Sequence, residues 1–332
     1  MRRCFLHVGT HKTGSTSIQH TLKNNRDCLA QLGFLYPQTA IPDREAGHHN
    51  IAWQLCGDGR FRTKYGSIGD LLIEIERWPG DVILSSEDLE CAAGRFGDLI
   101  TELRQRALDI SIIVYLRDQV SYTRSLYFEL IRHGYDRGLN DFLAAVIEKR
   151  VVRWRSWVFT FDYRLLIEQL MPFGAVIVRP YRPTENAVGD LLSIFELTPV
   201  QIGANTELRA NKQEPVSTTF AAFCRNLTGG RFDPNRAAAR SALSRIFDTG
   251  DVNISLPSRE KLSAALAESN RWLDDHYSLA IAYSPNHLPD SPAATIDLET
   301  LFCPGSVEFL ERHSGGNEGD VLQALRNAKD MR

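Results

Sequence analysis

Short apolar runs rich in β-branched residues alternate with helix-compatible runs, and this alternation limits the fold more than any other feature of the chain. Residues 4–8, 82–84, 110–116 and 175–178 read as buried strands. Runs 15–32, 68–78, 98–108, 120–133, 139–146, 154–170 and 190–195 read as helices, the second of them closed by Pro79-Gly80. In the first run Ile18, Leu22, Leu29 and Leu32 fall on one helical face. Strands separated by helices of this length pair in parallel through crossovers, which predicts an α/β fold: three α/β/α layers around a central, mostly parallel sheet. After Pro199 strand signals fade, and runs 216–227, 237–247, 261–277 and 306–312 read as helices. Residues 1–198 are therefore assigned to the α/β core and 199–332 to a mainly helical C-terminal cap packed on it, the two forming one integrated domain.

Charge and cysteine content narrow the function classes. Lys plus Arg (38) nearly balances Asp plus Glu (41), for a net charge of −3, which excludes an extended nucleic-acid-binding face. The six cysteines, at 4, 28, 56, 91, 224 and 303, contain no C-x-x-C pair, so neither a zinc site nor a disulfide framework is expected. Free thiols fit a reducing, cytoplasmic setting. The apolar start of the chain ends at Gly9, too soon for a signal peptide. No apolar run suggests a membrane span, while peripheral membrane contact stays open.

The loop Gly9-Thr10-His11-Lys12-Thr13-Gly14-Ser15-Thr16 joins the first strand to the first helix. Such a loop presents free N–H groups at the positive end of a helix and suits a phosphate or sulfate. Gly9 and Gly14 permit tight turns, Ser15 and Thr16 offer hydroxyls, and Lys12 adds positive charge. The spacing approaches the nucleotide-triphosphate pattern G-x-x-x-x-G-K-[ST], but Ser15 stands where that pattern requires lysine. A P-loop kinase or NTP hydrolase is kept as an alternative, as is a catalytically inactive carbohydrate-binding or scaffold protein. Arg117 leaves a buried strand where its guanidinium can meet an anion at the carboxyl edge of the sheet, and Ser125 follows eight residues later on the next helix.

His11-Lys12-Thr13-Gly14-Ser15-Thr16 resembles the 5′-phosphosulfate loop, K-[TS]-G-[TS]-[TS], of sulfotransferases that use 3′-phosphoadenosine 5′-phosphosulfate (PAPS). Arg117 and Ser125 match the family's second element, an arginine and a serine that hold the 3′-phosphate. The resemblance spans roughly residues 4–200 in element order. It implies a P-loop-like sulfotransferase core, PAPS as cofactor with adenosine 3′,5′-bisphosphate as product, no required metal, and a bacterial origin. The sequence departs from the family at Gln119, where proline is common, and in lacking a visible late Arg-Lys-Gly element, for which Arg209 and Lys212 are the candidate substitutes.

Sulfuryl transfer to a hydroxyl needs charge stabilisation at the donor and a base near the acceptor. Lys12 is assigned the first role. Glu87, just past the strand at 82–84, is the leading base, a role that near neutral pH requires burial or an anionic neighbour such as Asp88 or the cofactor to raise its pKa. His49 is the alternative base and His48 the weaker one, because imidazole titrates near neutral pH. Basic residues outnumber acidic ones between 149 and 182, where Trp154 and Trp157 also lie. A carbohydrate or glycolipid acceptor fits that stretch, as does a plain solvated helix face. Oligomeric state is left open.

Overall fold

The computed structural model describes residues 2–203, 216–232, 253–279 and 297–312. The chain divides into two compact units. The first comprises Met1–Asp118, Arg153–Lys212 and Glu268–Ile281; the second comprises Gln119–Val152, Gln213–Ala267 and Ala282–Arg332.

The first unit is a three-layer α/β/α sandwich. Its strands are β1 (Arg2–Gly9), β2 (Phe34–Leu35), β3 (Asp81–Ser85), β4 (Leu108–Leu116) and β7 (Ala175–Pro180), in the order β2-β3-β1-β4-β7 with every pair parallel. Side-chain alternation along the strands builds two cores, one on each face. Cys4, Leu6, Val8, Val82, Leu84, Ile112 and Val114 face α4 (Ile68–Glu76), α5 (Gly97–Gln105) and α8 (Tyr163–Leu170). Phe5, Ile83, Ile113 and Tyr115 face α1 (Ser15–Asn24), α2 (Arg26–Gln31) and α9 (Ala187–Ile194). A one-residue slip of β1 would exchange the two sets, so burial on both faces fixes its register.

Several boundaries differ from the sequence reading. The helix expected over 15–32 breaks at Asn25, whose side-chain amide donates to the Thr21 carbonyl at 2.8 Å and closes α1. The run 154–170 is not one helix. Strands β5 (Val151–Trp154) and β6 (Trp157–Thr160) form a hairpin, turning through Arg155 at φ 54°. Helix α8 starts only after Asp162, whose carboxylate caps the Leu165 N–H at 3.2 Å. Alternating valine and aromatic residues suit a pleated ribbon better than a helix, and their apolar spacing alone does not reveal it. Helix α3 (His49–Cys56) and the short β2 are additions to the elements read from the sequence.

The second unit includes α6 (Gln119–Arg132), α7 (Leu139–Lys149) and α10 (Val216–Thr228). They gather around Phe302, whose ring lies 5.4–5.7 Å from those of Tyr127, Phe128, Phe220 and Phe223. Residues 119–152 thus group with later helices rather than with the sheet. The helices expected near 261–277 and 306–312 lie within Leu256–Tyr277 and Pro304–Arg312, while the one at 237–247 falls outside the described residues. Among the described residues no helix is long and apolar enough to cross a membrane.

Candidate functional site

The turn between β1 and α1 takes left-handed backbone at Gly9 (φ 87°), Lys12 (φ 62°) and Gly14 (φ 82°). Glycine adopts this freely, whereas at Lys12 it disfavours a side chain by about 1–2 kcal/mol. The buried side of the turn is pinned to β4: the Thr10 N–H and hydroxyl donate to the Tyr115 carbonyl at 3.0 and 3.1 Å. The Thr13 hydroxyl donates to the Thr10 carbonyl at 2.5 Å, so Thr13 has only its N–H to offer a ligand. Gly14 supplies no side-chain cap to α1. The first N–H groups of that helix therefore keep their donor capacity and the positive end of its dipole. Ser15 is buried, and Thr16 is exposed.

Arg117 meets this turn. Its Nη1 donates to the Lys12 carbonyl at 3.3 Å, while its backbone is held by the buried Tyr163 hydroxyl, which donates to the Arg117 carbonyl at 2.8 Å. The Arg117 Nε is buried and has no hydrogen-bond partner, an orphaned donor of the kind an anion satisfies. Ser125 is half-buried on α6 in the second unit. Arg209 and Lys212 lie outside the described residues.

A 3-10 helix, Glu87–Arg95, follows β3 and brings three carboxylates to the loop from its first turn. His11 is clamped between two of them: Nδ1 lies 3.0 Å from Glu90 Oε2 and Nε2 lies 3.1 Å from Asp88 Oδ1. Burial pushes the imidazole pKa down, but the bonds to Asp88 and Glu90 more than reverse this and raise it to about 10. Asp88 is held well below the usual carboxylate range: the His11 bond, His11 and His49 charge and Arg60 outweigh its burial. His11 is thus an imidazolium strut under the loop. Since its folded value exceeds the ordinary 6.5, its contribution is complete below that pH and is lost as pH rises toward about 10. His11→Gln is expected to lower stability by a few kcal/mol at pH 6, with the gap to wild type narrowing by pH 9.5. Urea unfolding at both pH values checks this, and a gap independent of pH would remove the charge from His11.

Glu87 sits at the same sheet edge. A Cβ on Gly9 would stand 3.0 Å from both the Glu87 Cα and Cβ, so glycine lets the loop pass close to the base of the Glu87 side chain. Glu87 Oε2 accepts from Gln19 Nε2 at 2.6 Å and lies 4.0 Å from His49 Nε2. The expected rise in its pKa is not found. Burial raises it, but the nearby imidazoles of His49 and His11 and the Gln19 amide outweigh burial and Asp88, leaving Glu87 below its ordinary value and ionised at neutral pH. His49 Nδ1 lies 2.8 Å from Ser86 Oγ. His48 is used up by the fold: its Nδ1 accepts the Ser85 N–H and its Nε2 faces the Pro37 carbonyl, both at 3.1 Å. Burial lowers its pKa to about 4. A neutral ring with both nitrogens engaged has no capacity to take a substrate proton.

Beyond these groups, Trp53 Nε1 donates to Asp88 Oδ2 at 2.5 Å, and the Arg60 guanidinium lies 4.8 Å from both the Trp53 and Trp157 rings while reaching Asp88 at 3.3 Å. Trp157 thus packs on an arginine, and Trp154 carries the Arg155 guanidinium 4.1 Å from its ring. Sequence reasoning assigned no role to Gln19, Glu90 or Arg60. Gln19 alone left a trace, as the one amide on the stripe Ser15, Ile18, Gln19, Leu22 that α1 buries. No His/Cys/Asp/Glu cluster suited to a metal occurs among the described residues.

No protein-family model matches the chain, and no curated protein matches it. Among solved structures it is similar to mouse sulfotransferase SULT7A1 complexed with PAP, at 16% identity and a TM-score of 0.36, over 81% of this chain and 85% of that one.

Proposed function

We infer that the chain is a sulfotransferase that moves a sulfuryl group from PAPS to a hydroxyl of a carbohydrate or glycolipid and releases adenosine 3′,5′-bisphosphate. The observation that carries this reading is the meeting of Arg117 with the Lys12 turn at 3.3 Å, which puts two cationic elements from neighbouring strands at one sheet edge. The donor set suits a nucleotide anionic at both ends: an uncapped helix start, Lys12, and a guanidinium with an orphaned buried Nε. PAPS, when bound, supplies the activated sulfuryl group. Lys12 and the N–H groups from Thr13 to Thr16 hold its anionic end, with His11 as the strut beneath them. Arg117 takes the 3′-phosphate, and Arg209 and Lys212 are assigned its remaining charge.

Glu87 accepts the proton of the acceptor hydroxyl, being ionised and next to the loop. Protonation would silence it only below its ordinary carboxylate value, so kcat/KM is expected to stay level from neutrality down to about pH 5. An acid limb near neutral pH would assign the proton to an imidazole instead, His49 being placed for it.

Calorimetric titration with adenosine 3′,5′-bisphosphate tests the cofactor before any acceptor is known. Wild type is expected to bind, and Arg117→Ala to bind roughly ten- to a hundredfold more weakly, the worth of a hydrogen bond to a charged group. Absence of binding, with ATP and magnesium turned over instead, would replace the reading with phosphoryl transfer.

A further inference from the structure

Gln19 lies on α1, the helix that starts at the anion-binding loop, with only 3% of its surface exposed. A buried amide on an apolar stripe needs partners. Its Nε2 donates to Glu87 Oε2 at 2.6 Å, short for an amide and typical of an ionised acceptor. One face of the amide is covered by Gly47, where a Cβ would stand 2.7–2.9 Å from the Gln19 Cδ, Nε2 and Oε1. Gly47 has no need of glycine for its backbone, since its φ is not left-handed. What glycine provides there is room for the Gln19 amide.

We propose that Gln19, seated by Gly47, is a positioning residue that aims the Glu87 carboxylate and ties it to the helix carrying the nucleotide loop. The proposal rests on Glu87 as the proton acceptor. With one oxygen held by Gln19, the carboxylate keeps a fixed plane and leaves its other oxygen, Oε1, for the incoming hydroxyl. The titratable groups around Glu87 are His49 from α3, His11 from the loop, His7 from β1, Tyr36 following β2, and Asp88 on its own helix. Gln19 carries no charge of its own, so its removal perturbs Glu87 without removing a charge.

Two variants separate the contact from the fold. Gln19→Leu deletes the amide and keeps an apolar side chain on a buried stripe. Gly47→Ala leaves Gln19 in place but pushes its amide aside, the least costly response because the amide is the far end of a flexible side chain. The readout is the Glu87 carboxyl titration by carbon-13 NMR, assigned with Glu87→Gln and needing neither cofactor nor acceptor. The midpoint is expected to rise in both variants, since the bond favours the ionised form. In turnover, kcat should fall roughly tenfold through the lost aim of the carboxylate, with the acid limb moved up toward the ordinary carboxylate range and adenosine 3′,5′-bisphosphate affinity unchanged. If Gln19→Leu does not fold, Gly47→Ala decides alone. An unshifted midpoint would overturn the proposal. Failure of the nucleotide titration with a shifted midpoint would overturn the sulfotransferase reading and leave the Gln19–Glu87 pairing standing.

Discussion

Glu87→Gln is expected to lower kcat by about 10²–10⁴-fold while adenosine 3′,5′-bisphosphate binds as it does to wild type. The substitution preserves shape, and its amide oxygen can still accept from Gln19 in place of the 2.6 Å carboxylate bond. What disappears is the capacity to take a proton. His49, 4.0 Å away, would then face a neutral amide in place of the carboxylate. Single-turnover kinetics beside calorimetry is the test, and undiminished turnover would discard Glu87 from the mechanism.

Lys12→Ala is the second large effect, a fall in kcat of about 10²–10³-fold with little change in nucleotide affinity. An ammonium that neutralises charge developing at the bridging oxygen as the S–O bond breaks works mainly in the transition state, so its loss appears in kcat. Backbone strain does not confuse the comparison, because lysine and alanine both carry a Cβ at φ 62°. Lys12→Gly relaxes that strain and should be as inactive as alanine. Equal losses in kcat and in affinity would reduce Lys12 to a binding residue.

The strands were legible because burial on both faces demands continuous β-branched runs, and 110–116 is such a run within β4. The turn after β1 was legible because glycine permits left-handed backbone at fixed places, which Gly9 and Gly14 do adopt. Local pattern failed where two structures share one pattern, as in Val151 to Phe159, whose apolar residues suit a ribbon or a helix face alike. The environment of Glu87 was not legible at all. Burial was anticipated, but the groups that overturn its effect come from positions 11, 19 and 49, and only the fold brings them to residue 87. The same holds for His11, whose two carboxylate partners lie 77 and 79 residues away along the chain.

The Tyr115 carbonyl, which receives both donors of Thr10, is two residues from Arg117 on the same strand exit. A displacement of that exit therefore carries the Gly9–Gly14 turn and the arginine along together, as one jig. Widening or narrowing the span between them by small adjustments of β4 is closed off. In the proposed reaction, adaptation to a longer or shorter anion would have to be made by parts of the protein that β4 does not hold.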